Sequence, residues 1–490
     1  MARWMLILLL LMPLAGCKMG PDYARPETPA KNVWRMQQAT AESIANIPWW
    51  ELLKDEELQK LIKIALTENQ DLRTAVASVE QYRNQLIISK FDLAPALSYN
   101  SHAFLFQTQK NANTLPTGGA PIVLPNQGGA TGNTFANEAF FGSLKWEVDL
   151  WGRLRRNVEA SQAQLFAQEE NQRAVILGLV AGVGEAYFEL RSLDLQVEIT
   201  KRTLKSWEES VRLSTLRFKQ GAIPKLDLDR FEAERAGTAA KLAELEKQVV
   251  QKENQLSALL GRKPAQIARG LALTEQPMPP AVPAGLPSDL LQRRPDLLQA
   301  EQEVVAATAA IGIAQANRFP QLALTGSLGV ASSQLGSQSL GPLFIQNIAG
   351  ALSGPLLNAT ALGYQVGVNE MKAQQAALQY EKAIVTALKE VEDALIAVQK
   401  TREQREAQEQ QVSALRSALH FAEQRYQGGR ASYLDVLTSQ RSLFDSELAL
   451  ARTRQTQLVS MVQLYKALGG GWSVKDDPTA NLPDPRLQGR

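Results

Sequence analysis

The sequence predicts a mainly α-helical chain that also supplies strands to a membrane β-barrel. It is built as two tandem copies of one unit, each a long coiled-coil helical hairpin plus two β-strands. Three observations predict this. A glycine turn with its flanks occurs twice: Arg217-Phe218-Lys219-Gln220-Gly221 returns 208 residues later as Arg425-Tyr426-Gln427-Gly428-Gly429, and Leu226-Asp227 returns as Leu434-Asp435. Long apolar patterns of helical period flank both turns, and in each copy a proline is followed by segments that alternate with period two.

The offset of 208 extends beyond the turns, matching Ala186 to Ala394 and Leu260-Gly261 to Leu468-Gly469. Upstream it becomes about 225: Asn69-Gln70-Asp71-Leu72 aligns with Arg294-Pro295-Asp296-Leu297, and Ala94-Pro95 with Phe319-Pro320. An insertion of roughly 17 residues in the first copy accounts for the change. Residues 50–262 and 288–470 are thus two copies of one unit, joined by a Pro-rich linker over 263–287 and followed by a tail over 471–490. So long a period marks a duplicated domain, because solenoid repeats are far shorter.

At the start, Arg3 and the apolar run Leu6–Leu14 read as a secretory signal over residues 1–16, too short to span a bilayer. Leu14-Ala15-Gly16-Cys17 resembles a bacterial lipobox, in which the cysteine is acylated after cleavage. Cys17 is the only cysteine of the 490 residues, which excludes a disulfide framework and leaves lipidation as its expected role. That resemblance implies a diacylglycerol and an N-acyl chain on Cys17, and Lys18 after it favours the outer membrane. No other cofactor is expected. A net charge of +2 with mixed signs argues against a nucleic-acid partner, and His102 and His420, the only histidines, are too far apart in sequence to suggest a metal site.

Residues 17–49, with Pro21, Pro26, Pro29 and Pro48, suit an extended leader. A helix is expected over 55–93, ending before Pro95, and its counterpart over about 288–318, before Pro320. Strands are expected at about 96–107 and 138–149, then at about 321–331 and 344–354. Alternation over about ten residues with aromatic ends is the pattern of transmembrane strands, although hairpins of a soluble domain look similar. The long helices follow at 153–219 and 360–427, the first extending about 100 Å if continuous. Their return partners span 225–260 and 432–468. Leu242, Leu245, Val249, Leu256 and Leu259, and likewise Leu437, Phe444, Leu448, Leu458 and Tyr465, give the near-seven spacing of coiled-coil packing, with gaps at Arg441 and Gln455. Pro224 suits a helix start and Ser432 an N-cap.

Four strands cannot close a barrel, and an open sheet edge in lipid leaves backbone groups unpaired at several kcal/mol each. Two chains would give eight strands, with an interior filled by side chains; three give twelve, wide enough for water. The expectation is a homotrimeric twelve-stranded β-barrel continued by an α-helical barrel.

A lipobox followed by helix, strand pair and long hairpin, these three elements occurring twice, resembles the TolC-type outer-membrane efflux channels. Cys17-Lys18-Met19-Gly20-Pro21-Asp22-Tyr23, Arg293-Arg294-Pro295-Asp296-Leu297 and Tyr465-Lys466-Ala467-Leu468-Gly469-Gly470-Gly471-Trp472 are similar to segments of its lipoprotein branch, typified by OprM and NodT. The resemblance implies a lipid-anchored outer-membrane duct, reaching into the periplasm, that is the exit of a tripartite efflux pump. Its implied partners are a periplasmic adaptor and an inner-membrane pump of the RND type, with the helix-turn tips Gly221, Pro224, Gly429 and Arg430 as the docking point. A periplasmic gate is implied at Leu434, Asp435, Thr438 and Arg441, where Thr438 stands in place of the second aspartate of the family's Asp-x-x-Asp. A hairpin latch maps to Tyr426 and Asp227. Ala431 and Leu226 stand where a second, arginine-to-threonine latch would lie, leaving Arg430 an open substitute. From the residues alone, Asp227 and Asp435 equally suit helix starts, where the dipole favours an acid. Arg441 interrupts an apolar seam, as a residue facing a watery lumen or a snorkelling surface arginine would.

Alternatives within reach of the same features are a type I secretion duct and a periplasmic coiled-coil adaptor. No nucleophile and base, phosphate loop or metal spacing is visible, so no enzymatic activity is expected.

Overall fold

Capping and proline placement set the element boundaries in the computed structural model, which describes residues 17–26, 50, 54–107, 114–115, 122–123, 134–277, 293–335 and 338–470. Among these residues the helices are α1 (Glu56–Glu68), α2 (Gln70–Phe91), α3 (Arg153–Lys219), α4 (Lys225–Leu259), α5 (Pro295–Ala316), α6 (Ala359–Gln427) and α7 (Tyr433–Ala467). The strands are β1 (Ala96–Gln107), β2 (Thr114–Leu115), β3 (Ile122–Val123), β4 (Thr134–Val148), β5 (Gln321–Leu335) and β6 (Gln338–Ser353). The signal segment, most of the leader, the linker from 278 to 292 and the tail from Gly471 lie outside the described residues.

The single helix expected over 55–93 is two. Asn69 takes an extended conformation between α1 and α2. Its side chain accepts from Leu72 N at 2.9 Å as the cap of α2 and donates to the Leu259 carbonyl at 2.8 Å. An amide that caps one helix and reaches the end of another cannot also lie inside a helix.

Four strands form one antiparallel sheet in the order β1-β4-β5-β6, and β2 pairs with β3. Three of the four run longer than the alternation suggested: β4 begins at Thr134, β5 continues to Leu335 and β6 begins at Gln338. The ladder extends through Gln334↔Ser339 and Leu335↔Gln338, where the sequence carries no apolar alternation and the backbone pairing continues the strands. The β2–β3 ribbon left no signal in the Gly-rich segment. One face of the sheet carries the row Leu97↔Leu144↔Gly326↔Ile348 and the row Phe140↔Val330↔Phe344. The other face carries Ser98↔Ser143↔Ser327↔Asn347. That second face also carries Phe141 and Ile345, so the contrast is of a mainly apolar face with a mixed, more polar one, the sense required of strands between lipid and an aqueous lumen. Among the described residues no helix is long and apolar enough to cross a membrane.

The chain divides into two compact units, each taken by itself. One comprises residues up to Arg25, Gln81–Leu165 and Gln302–Ala377, and holds the sheet; the other comprises Pro26–Glu80, Phe166–Glu301 and Leu378–Arg490, and holds both hairpin tips. In the second unit the described part of the linker is no bare connector. Ile267 and Leu273 are buried, and the Asp55 carboxylate accepts from Tyr187 Oη at 2.9 Å, Leu271 N at 3.2 Å and Gln276 Nε2 at 2.6 Å. Burial, reinforced by the neighbouring Asp55 charge, pushes the Tyr187 phenol well above its usual range, so it stays a neutral donor.

Candidate functional site

Both hairpin tips turn on the same backbone device. Gly221 and Gly429 have φ of +73° and +69°, the left-handed region that closes a helix. Ala222 N donates to Arg217 O at 2.8 Å and Gly221 N to Phe218 O at 2.9 Å; Arg430 N to Arg425 O at 2.8 Å and Gly429 N to Tyr426 O at 3.0 Å repeat the pair. Nothing stands within 4 Å of a Cβ built on either glycine, so the sign of φ, not lack of room, fixes the residue.

The helices that leave the tips start differently. Pro224 occupies the N-cap of α4 itself, with no side-chain cap, and Asp227 pairs with Arg230 at 3.5 Å. Ser432 caps α7 in a capping box: its hydroxyl accepts from Leu434 N at 3.1 Å, and the Asp435 carboxylate accepts from Ser432 N at 3.2 Å. Leu434, Asp435, Thr438 and Arg441 are all exposed, with Thr438 Oγ1 donating back to Leu434 O at 2.7 Å. Leu434, Thr438 and Arg441 fall on one stripe at helical spacing. Arg441 keeps a largely exposed side chain 3.8 Å from Glu234 of α4, which removes the conflict of a charge inside an apolar seam.

The structure does not join Tyr426 to Asp227. The Tyr426 hydroxyl accepts from Arg217 Nη1, and the guanidinium carbon of Arg217 lies 5.2 Å from the Tyr426 ring centre. Tyr426 meets Tyr433 edge-on at 4.9 Å, and Tyr433 lies 4.1 Å from the buried Phe231. This Arg217–Tyr426–Tyr433–Phe231 chain ties the first tip to the second. Burial pushes the Tyr433 phenol up to about 12, with Tyr426 and Glu423 adding to the effect and the Ser210 hydrogen bond opposing it. Behind it, α3 and α7 are stitched together by Gln440 Nε2 to Ser206 Oγ at 2.7 Å, Arg202 to Glu447 at 2.5 Å and Arg452 Nε to Gln196 Oε1 at 3.2 Å. Ile199, Leu448 and Ala451 pack between those bonds. Sequence reasoning missed Arg217 and Tyr433 because a contact between hairpins leaves no periodic trace. The only available signal was that Arg217 and Tyr426 both stand one turn before a repeated glycine.

The duplication recurs at the other end of the hairpins. Asn69 Nδ2 donates to Leu259 O at 2.8 Å, and Arg294 Nη1, at the matching position, donates to Ala467 O at 3.0 Å. Arg294 is buried and pairs with Asp296 and Glu390, each at 2.7 Å. Burial works against its charge, but the two carboxylates outweigh this and hold its pKa above the ordinary value. A Cβ on Gly469 would stand 3.1 Å from the Arg293 carbonyl, so the 293–297 segment packs on the 465–470 segment.

In the unit that holds the sheet, residues after Cys17 form a strap. Cys17 is free and exposed. Arg156, only 1% exposed, donates to the carbonyls of Met19 and Gly20, each at 2.9 Å, and pairs with Asp22 at 3.0 Å and Glu159 at 2.9 Å. Lys18 adds a 2.6 Å pair to Glu159, and Met19 N donates to Trp151 O at 3.1 Å. Gly20, at φ of +89°, rests against Gly312, whose amide nitrogen would be 2.8 Å from a Cβ there. The expected extended leader is therefore clamped over its described stretch. Among the described residues no group of three or more His, Cys, Asp or Glu side chains could hold a metal.

The family described as "Outer membrane efflux protein" matches residues 61–262 and 286–470, the two repeats. The toluene efflux pump outer membrane protein TtgC of Pseudomonas putida is 34% identical over 466 residues, covering 94% of this chain and 93% of the relative. The cation efflux system protein CusC of Escherichia coli is 30% identical, covering 94% and 97%. The crystal structure of the open state of the Neisseria gonorrhoeae MtrE outer membrane channel superposes with a TM-score of 0.80 at 29% identity, covering 93% of this chain and 98% of that one.

Proposed function

Because this chain belongs to the outer membrane efflux protein family and serves as an outer-membrane efflux duct, we propose that three copies assemble one conduit, gated at the hairpin tips and anchored by lipid at Cys17. The order β1-β4-β5-β6 carries the proposal, since among the described residues it leaves β1 and β6 with one unpaired edge each. Every neighbouring pair in the sheet is antiparallel, so β1 of one copy and β6 of the next run in opposite senses and can pair by the same ladder. Closure removes both edges from lipid. Two copies leave no water-filled bore, whereas three do. The polar sheet face with Ser98, Ser143, Ser327 and Asn347 suits the bore, and the face with Leu97, Leu144 and Ile348 suits lipid.

At the tips, a threefold arrangement would bring Leu434, Asp435, Thr438 and Arg441 of each copy around one axis. Three Asp435 carboxylates near that axis favour cations. The Arg217–Tyr426–Tyr433 chain holds the two hairpins of each copy together and so keeps the ring narrow; it replaces the Tyr426–Asp227 latch. A periplasmic adaptor and an inner-membrane pump of the RND type complete the path, with Gly221, Pro224, Gly429 and Arg430 presented to the adaptor. TtgC and CusC are named for toluene and cation efflux, and small-molecule or ion cargo is the matching reading here.

The test is the mass of the detergent-solubilised protein together with its conductance in a planar bilayer. A trimer that conducts, or can be opened to conduct, is expected. A monomer or dimer, or a trimer that never conducts under any condition, overturns the proposal.

A further inference from the structure

Fixed charge is sparse in the sheet, and where it occurs it falls on one strand. Across β1, β4, β5 and β6 the charged side chains are Glu138, Lys145 and Glu147, all of β4. Strand alternation puts Glu138 on the apolar face with Leu144, and puts Lys145 and Glu147 on the face with Ser143. Two cross-strand contacts mark that second face: Asn100 Nδ2 donates to Ser143 Oγ at 3.3 Å, and the His102 and Phe141 rings lie 6.4 Å apart. Glu147 is already neutralised, since Arg153 Nε and Nη2 donate to its two oxygens at 3.0 and 2.8 Å. Asp149 and Arg155, just past the strand, pair at 3.2 Å. Lys145 is exposed, and its ammonium has no ion-pair partner among the described residues. Its row, Ala96↔Lys145↔Thr325↔Ala349, offers no acid. His102, on the same face, can only add charge of the same sign.

We propose that Lys145 sets the ion selectivity of the barrel: three copies form a cationic ring that favours small anions in the membrane-spanning part of the duct. This rests on the trimeric reading above, which turns the face with Ser143 toward the bore, and it adds a ring opposite in sign to the Asp435 ring at the tips. Twelve strands about 4.8 Å apart, tilted by about 40°, close at a radius of about 12 Å. A lysine side chain reaches inward by about half that radius, so the bore at this level lies within about 10 Å of an ammonium, the Debye length at about 0.1 M salt. A passing ion therefore feels the unpaired Lys145 charge, whereas the Glu147–Arg153 pair largely cancels itself. The duct carries cation-favouring charge at its periplasmic tip and anion-favouring charge in its barrel. Rings of opposite sign in series pass current unequally in the two directions. One polarity drives both ions into the segment between the rings, and the other drains it.

The experiment measures reversal potentials and current–voltage curves of the opened pore in planar bilayers. At about 0.1 M salt, Lys145→Gln should lower the chloride-to-potassium permeability ratio about two- to fivefold and weaken the rectification. At about 1 M salt, where the Debye length falls to about 3 Å, the difference should shrink. Asp435→Asn should move the ratio the other way, and the double variant should bring it back toward that of the free ions. A second variant changes the charge in place. Lys145→Cys labelled with a cationic methanethiosulfonate should recover the lost anion preference, and an anionic label should reverse it. Leu144→Cys, on the opposite face, should resist the same water-soluble reagents in the membrane-inserted protein, with the unaltered protein as the control for Cys17. A conducting trimer whose selectivity ignores both Lys145→Gln and labelling at Lys145→Cys overturns the ring and leaves the trimeric reading standing. Labelling at Leu144→Cys with none at Lys145→Cys overturns the assignment of the bore face, and the ring with it. A monomer by mass overturns the trimeric reading and the ring together.

Discussion

Asp435 serves two ends with one carboxylate. It closes the capping box of α7 by accepting from Ser432 N, and it lies exposed on the tip where a threefold axis would gather three copies of it. The duplicated Leu-Asp pairs made an acid at each helix start legible in the sequence, because the dipole argument needs only position along the chain. What the carboxylate faces across an axis was not legible. The two ends can be separated. Asp435→Asn keeps an acceptor for Ser432 N and removes the charge, so the isolated pore should lose cation selectivity in reversal-potential measurements while thermal stability stays within about 0.5 kcal/mol. Asp435→Ala should lose selectivity too and weaken the helix end by about 1 kcal/mol. Unchanged selectivity in both variants would remove Asp435 from the gate.

Each hairpin is a pair of helices stopped by a left-handed glycine, and the two are tied through side chains that neither hairpin needs for itself. Arg217 is such a residue: its guanidinium lies over the Tyr426 ring and bonds its hydroxyl, and the element it stabilises is the contact between tips. An exposed cation–π contact contributes about 0.5–1 kcal/mol. Arg217→Ala should therefore shift the closed-to-open ratio of single channels about two- to fivefold toward open. Tyr426→Phe, which keeps the ring and loses the hydroxyl, should shift it less. Identical open probability for Arg217→Ala and the unaltered protein would place the latch elsewhere, at Glu447 with Arg202 and Arg416 for instance. Helix lengths and the glycine ends could be read from period and composition. The break at Asn69 could not, since it answers to the Leu259 carbonyl, 190 residues away.

For the whole molecule the governing fact is an unfinished sheet. Among the described residues the sheet ends in β1 on one side and β6 on the other, and on the proposed reading further copies of the chain complete it. Its start is fixed as well, by Arg156 holding Met19, Gly20 and Asp22. Lipid on Cys17 would thus hang from a clamped strap instead of a loose tether. Cys17→Ser should abolish palmitate incorporation while the strap stays docked, seen as unchanged protease resistance of residues 18–25 in the assembled protein. Palmitate incorporation that persists in the variant would refute lipidation at Cys17.

By itself the sequence determined the duplication, the long helices, the glycine tips, the alternating strands and the shortage of strands for a closed barrel. All of these follow from local period and from backbone chemistry confined to neighbouring residues. Only the tertiary structure decided that Tyr426 meets Arg217 rather than Asp227 and that Asn69 and Arg294 cap the return helices. Those outcomes join residues far apart along the chain. No periodicity encodes them, because side-chain reach and packing select the partner after the backbone has brought several candidates together.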